Sequence, residues 1–331
     1  MKFTLTFLLI YIEFCSFSQE NKLLQKTDWN GYTQLRAASN FKDFNSFSLR
    51  RMKLWIKSAP EFSDNWSYKI QSTITSLKQE KFFLQDVKVG YKKGLFSFDF
   101  GQFVPSYSLE WSQPDWKIST IERAKVIDAI TPSGSLGVRD LGIQANFHTK
   151  NNLLQTSVGI FNGYGIKEYS FSGQGYMISH KTAINITVKG KKIKFGYSLQ
   201  YRKAENLKIK KVLSDTLAFS GKDFRYNAFA RFENKYMEIQ AEYLNADFNG
   251  KIANGYYLLA SFNIKKSQFV FSYEDYKDLI SITIDKPYYH IGYNYLFNKN
   301  KIKLFIDETF QIVGSELFGS VTSVQLQVFF K

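Results

Sequence analysis

The run Leu95-Phe96-Ser97-Phe98-Asp99-Phe100-Gly101-Gln102-Phe103 alternates large aromatics with small or polar residues, the period of a strand that shows two different faces. Val104-Pro105 then opens a long connection, to about Ser135, that holds three of the chain's five Pro and two of its five Trp. Val138-Arg139-Asp140-Leu141-Gly142-Ile143 begins the next alternating run. Every other connection between strand-like runs is shorter. A loop that long in an otherwise economical β-chain is expected to carry function.

The same dyad pattern runs outward in both directions. In Ile193-Lys194-Phe195-Gly196-Tyr197-Ser198-Leu199-Gln200-Tyr201-Arg202, odd positions are apolar or aromatic and even ones polar, charged or Gly. Such a pattern means two environments, one on each side of a sheet. Reading it along the chain predicts about sixteen strands of about ten residues, the first near 29–37 and the last near 321–330, a length that crosses a bilayer with tilt. Basic turns such as Lys92-Lys93-Gly94, Gly190-Lys191-Lys192 and Lys265-Lys266-Ser267 join alternate pairs, and the connections between them are read as longer. Short turns at one rim and longer loops at the other are the layout of an outer-membrane barrel. The fold class expected is therefore all-β, a transmembrane antiparallel barrel. A soluble sandwich fits less well, because Tyr and Phe crowd the strand ends, as in Tyr289-His290-Ile291-Gly292-Tyr293-Asn294-Tyr295-Leu296-Phe297, where a membrane interface wants them.

Composition agrees. Aromatics make up 18% of 331 residues, and the formal net charge is +15. A basic chain can favour nucleic acid, an anionic membrane surface or anionic solutes; the Lys concentrated in short turns argue against nucleic acid. Met1-Lys2, the apolar 3–12 and Ser16-Phe17-Ser18 have the order of a secretory signal, with cleavage expected after Ser18 and one barrel domain over 19–331. Cys15 lies within that segment, so the remainder has no cysteine and no disulfide.

An Arg or Lys facing lipid at the midplane costs about 2 to 4 kcal/mol, so the charged face is assigned to the lumen. That places Arg36, Arg51, Lys53, Lys69, Lys88, Lys194, Arg202, Arg225, Arg231 and Lys303 inside, opposed by Asp86, Asp99, Glu238, Glu242, Glu274 and Asp307. Of these, Arg36, Arg51, Lys53, Lys69, Lys88, Arg202, Arg225 and Arg231 are the candidate pore-lining and anion-binding residues. Arg50 and Glu308 break the alternation and are expected near outer strand ends, snorkelling to headgroups.

Several segments occur in a specific order: Ser48-Leu49-Arg50-Arg51-Met52-Lys53-Leu54-Trp55-Ile56-Lys57, Leu84-Gln85-Asp86-Val87-Lys88-Val89-Gly90-Tyr91, Gly101-Gln102-Phe103-Val104-Pro105, Ser108-Leu109-Glu110, Ile121-Glu122-Arg123, Leu136-Gly137-Val138-Arg139-Asp140-Leu141-Gly142 and Gly159-Ile160-Phe161-Asn162-Gly163. Together they resemble the phosphate-selective porin O and P family of Gram-negative outer membranes, strongly over about 31–165 and only in architecture beyond. The resemblance implies a sixteen-stranded homotrimeric porin whose third outer loop, here 104–135, folds into the lumen. Glu110, Glu122 and Arg123, with Arg139 and Asp140 at the start of the next strand, are then constriction-loop residues, expected to brace the loop by ion pairs. Phosphate selectivity carries over less directly: it wants convergent Arg and Lys, and here acids are interspersed.

The expected function is passive diffusion of small hydrophilic, preferably anionic, solutes through a barrel that contacts outer-membrane lipid, with no cofactor, metal or nucleic-acid partner. A barrel hydrolase would need a nucleophile beside a His base. Of His148, His180 and His290, only His290 falls mid-wall, and no nucleophile motif accompanies it. A structural or adhesin barrel would want longer outer loops.

Overall fold

The computed structural model describes residues 27–76, 80–131, 139–165, 176–207, 212–213, 217–279, 287–298, 301–313 and 315–330. The expected signal segment, 1–18, lies outside the described residues, as do 132–135 of the long loop. The strands are β1 (Asp28–Ser39), β2 (Asn45–Ser58), β3 (Trp66–Ser76), β4 (Glu80–Lys93), β5 (Phe96–Phe103), β6 (Asp140–His148), β7 (Leu154–Phe161) and β8 (Met177–Val188). They continue as β9 (Lys191–Leu207), β10 (Phe219–Glu233), β11 (Met237–Phe248), β12 (Lys251–Ile264), β13 (Ser267–Lys277), β14 (Tyr288–Phe297), β15 (Ile302–Val313) and β16 (Glu316–Phe329). One short helix, α1 (Lys125–Ile130), lies in the β5–β6 connection.

Each strand pairs antiparallel with the next, and β1 closes the ring on β16 from Tyr32↔Phe329 to Ser39↔Thr322. A closed barrel leaves no edge, so the wall's N–H and C=O groups find partners without water. Side chains sort as the dyad pattern requires: Tyr197 is 45% exposed while its neighbour Ser198 is fully buried. Outward Phe98, Phe100, Ile143, Ile160, Tyr243, Leu258 and Phe271 belong to a continuous apolar exterior that only hydrocarbon would solvate well.

Three departures from strict alternation shape the interior. Between Gln34 and Leu35, β2 carries one extra residue, so Arg50 and Arg51 both turn into the lumen. Arg50 therefore does not snorkel outward, because a bulge re-aims it. A second bulge, opposite Gln71 and Ser72, turns both Gln85 and Asp86 inward. At Gly101 the backbone has φ 112°, and a Cβ would lie 2.2 Å from the Val87 carbonyl oxygen, so only glycine fits. Beside it the Gln102 side chain bends back to donate to the Leu84 and Gln85 carbonyls.

The expectation that one rim has uniformly longer loops needs correction. The β11–β12 connection is only Asn249-Gly250, both with positive φ, and pairing runs up to Phe248↔Lys251. Sequence periodicity ended those strands early because Leu244, Ala246, Phe248, Ala253 and Tyr257 face the lumen yet are apolar and buried. There the two faces look alike.

The face assignment predicts that Ile70→Lys, which puts a charge into the apolar exterior, lowers folding stability by about 2 to 4 kcal/mol if the site is near the midplane. Thr75→Lys, on the lumenal side of the same strand, is expected to assemble normally. Heat-modifiable gel mobility of the refolded variants measures this, and equal yields would overturn the assignment.

Candidate functional site

Past β5 the chain leaves the wall and crosses the interior. Ser106 N–H donates to Gln144 on β6 (3.0 Å), and Ser179 on β8 donates to the Ser106 carbonyl (2.7 Å). Ser108 N–H then reaches Ser198 on β9 (2.9 Å). The Glu242 carboxylate on β11 accepts the N–H groups of Leu109 (2.9 Å) and Glu110 (2.6 Å) and the Ser108 hydroxyl (3.1 Å). Further along, Asn294 on β14 donates to the Ser119 carbonyl (2.7 Å), and Glu274 on β13 accepts Val126 N–H at the start of α1 (2.9 Å). Backbone N–H groups of the loop end on these two wall carboxylates, which act as pegs. Between them Tyr107, Trp111, Val126, Ile127, Ala129 and Ile130 pack on Leu244, Ala246, Phe248, Tyr257 and Leu259. Each large apolar side chain buried this way contributes about 1.5 to 3 kcal/mol. The apolar lumen of β11 and β12 is therefore a seat for the loop.

What stays open lies on the opposite side, between the loop and the lumenal wall of β2 to β6. This cavity of about 790 Å³ is lined by nine basic and five acidic side chains, an excess of four positive charges. Most of the cations are paired. Asp115 of the loop binds Arg51 (2.6 Å), Lys53 and Arg123 (2.7 Å). Glu122 takes a two-point contact from Arg50, 2.5 and 2.7 Å, and bonds to Arg36 at 2.6 Å. Burial by itself would raise both loop acids, but Lys53, Arg51 and Arg123 hold Asp115 well below the usual carboxylate range, and Arg50, Arg36 and Arg51 do the same for Glu122. On the wall, Asp86 is shared by Lys69 and Arg139 (2.8 Å), and Lys88 meets Asp99 (2.8 Å). Lys57 and Lys81 line the cavity with no ion pair among the described residues.

The candidate residues thus divide. Arg36, Arg51 and Lys53 fasten the loop to the wall, while Lys69, Lys88 and Arg139 lie on the cavity in wall ion pairs. Arg202 and Arg225 do not line the pore: both are buried on Asp223 behind the loop, and Arg225 also donates to the Ile130 carbonyl. Arg231 is held between Glu233 (2.8 Å) and Glu238 (2.9 Å), away from the cavity. Glu122 and Arg123 brace the loop, but with wall and loop partners and not with each other. Arg139 turns to the wall's Asp86, and Asp140 accepts the N–H groups of Leu141 and Gly163 (both 2.8 Å). Glu110 is buried against the wall, where its carboxylate accepts Ala124 N–H (3.1 Å). Burial, with the charge of nearby Glu242 added, pushes it up to about 8.

Sequence reasoning missed Asp115, Arg50 and the pegs Glu242 and Glu274 as loop contacts. Only the adjacent pair Arg50-Arg51 gave a signal, since two successive charges in a strand imply a bulge or a cost in lipid. His290 sits between Glu274 (3.2 Å) and Thr309 (2.9 Å), where it steadies the carboxylate that holds α1.

The sequence matches the family described as phosphate-selective porin O and P over residues 25–305. No curated protein matches it. Among solved structures, Pseudomonas putida OprB at high pH is similar with a TM-score of 0.73 and 12% identity over 93% of this chain and 96% of that one. Salmonella typhi OmpF, in complex with daunomycin, is similar at 0.67, with 11% identity over 92% of this chain and 97% of that one. The trimer form of Vibrio cholerae OmpT gives 0.64, with 9% identity over 92% and 99%. At such identities the structures report the shared fold, while the family match covers most of the sequence: this chain belongs to the phosphate-selective porin O and P family and is an outer-membrane porin.

Proposed function

We propose that this porin is a homotrimeric, non-enzymatic channel for small hydrophilic solutes that favours anions, phosphate among them. The observation that carries the preference is the excess of four positive charges lining the cavity. Low-dielectric walls concentrate the field of that excess on a passing ion. The preference is moderate, because Arg50, Arg51 and Lys53 are engaged by Asp115 and Glu122 and do not converge on a free phosphate site. Among the described residues, Lys57 and Lys81 are cavity cations with no ion pair, and a permeant anion meets them there. Three-fold assembly is supported by the family and by the trimer form of the Vibrio cholerae relative. Export through a cleaved 1–18 segment, with the Lys-rich turns facing the periplasm, completes the proposal.

Planar-bilayer recording in a KCl gradient tests it. The native channel is expected to give a chloride-preferring reversal potential, and Lys57→Glu with Lys81→Glu to shrink or invert it without changing loop attachment. A cation-selective native channel would remove the anion reading.

Asp115→Asn leaves Arg51, Lys53 and Arg123 facing one another, and removing one partner of a buried cluster costs about 3 to 5 kcal/mol. Higher conductance with noisier open-channel current is the expected result; unchanged current would mean that the loop does not set the constriction.

Acidity acts in the opposite sense through Glu110. Its carboxyl sits above its unfolded value, so the folded loop binds the proton more tightly, and anchoring is strongest at low pH and weakens as pH rises toward about 8. Protease nicking of the loop is expected to increase over that range in the native protein and to stay flat in Glu110→Gln.

A further inference from the structure

The charged wall of the cavity carries a pattern that charge alone does not explain. Strand register sorts its lumenal side chains into levels across β2, β3 and β4. Lys81 pairs with Thr75 nearest the rim from which the long loop enters, while Lys57, Lys69 and Lys88 stand level with one another nearest the rim of the Lys-rich turns. Between these basic levels lie two more, Lys53 with Thr73 and Phe83, then Trp55 with Gln71 and Asp86. Lys53 is neutralised there by Asp115, and Asp86 by Lys69 and Arg139. The middle of the wall is thus a band of amide, hydroxyl and aromatic groups.

Two rings enter that band in equivalent ways. On the lumenal face of β2, Trp55 stands two residues before Lys57; on that of β4, Phe83 stands two residues after Lys81. Two residues of strand rise about 7 Å. Lys57 and Lys81 are the exposed cavity cations with no ion pair among the described residues, so each unpaired ammonium has a half-buried ring on its own strand, on the side toward the middle of the cavity. A bare anion uses the ammonium and leaves the ring in water, which is unfavourable for an aromatic face. A solute whose anionic group hangs from a ring with an apolar face uses both. Hydroxyls find partners in the same band. Gln71 and Thr73 both donate to Gln85 Oε1 (2.8 Å each), and the Gln85 amide N–H groups have no partner among the described residues.

We propose that the solute class of this cavity is the phosphorylated sugars. The sugar ring packs on Phe83 while its phosphate rests on Lys81, and then on Trp55 with the phosphate on Lys57. Between the two half-sites the amide band receives the hydroxyls. This rests on the anion-preferring channel proposed above and deepens it by naming the organic part that the anion carries.

Block of the single-channel KCl current by added solute, with the full-length protein in a planar bilayer, tests the assignment. Glucose 6-phosphate is expected to block at a concentration about ten-fold below that of inorganic phosphate, the scale of one ring contact, and glucose to leave the current open over the same range. Trp55→Leu with Phe83→Leu keeps apolar bulk but removes both ring faces, and is expected to bring the two half-blocking concentrations together. Trp55→Tyr with Phe83→Tyr is expected to keep them apart; heat-modifiable mobility confirms that both variants fold. Equal block by the two phosphates in the native channel, or a preference that survives the leucine variant, would overturn the sugar assignment and leave the anion channel standing. Block by benzoate or by glucose as tight as by glucose 6-phosphate would overturn it equally, giving the rings to aromatic acids or to neutral sugars. A cation-selective native channel would overturn both readings.

Discussion

Hydrocarbon offers no hydrogen bonds, and that constraint governs the wall. Each strand must satisfy its neighbour's backbone, the set must close, and β1 must find β16. Closure then divides the side chains into those that lipid tolerates and those that it does not. The charges are driven inward together, where they must be neutralised or hydrated within a narrow space. The β5–β6 loop is the answer to that crowding, since its Asp115 and Glu122 enter where Arg36, Arg50, Arg51 and Lys53 are concentrated.

The wall's cations therefore have a double role. Those nearest the loop are engaged in holding it, and the ones left to act on a solute are fewer than their number suggests. The opposite half of the lumen works by other means. There an apolar surface and two wall carboxylates receive the loop's hydrophobic side chains and its backbone N–H groups. The cavity is eccentric: it lies along the charged wall, and the opposite wall is packed against the loop.

Much of this was legible in the sequence. Alternation at Ile193 to Arg202 gave the strands and the lumenal side, and the length of the connection after Phe103 marked the loop. Three kinds of information were not there. A bulge adds a single residue, so Arg50 read as a misplaced outward charge until pairing showed β2 slipping against β1. Apolar residues on both faces erased the dyad signal at Leu244 to Tyr257, exactly where the loop is seated. Partner choice is a three-dimensional matter: Asp223 stands two positions before Arg225 on the same face, but nothing local to Arg202 tells that it too is committed to Asp223, or that Arg139 turns to Asp86.

The pegs have an evolutionary consequence. Glu242 and Glu274 grip the loop through backbone N–H groups, which every residue except proline supplies, so those moorings are indifferent to the side chains they hold. Those backbone bonds survive a change of side chain, so selection on the solute can act on the loop's cavity face without casting the whole segment adrift. A barrel of this design is a fixed frame with an exchangeable sieve.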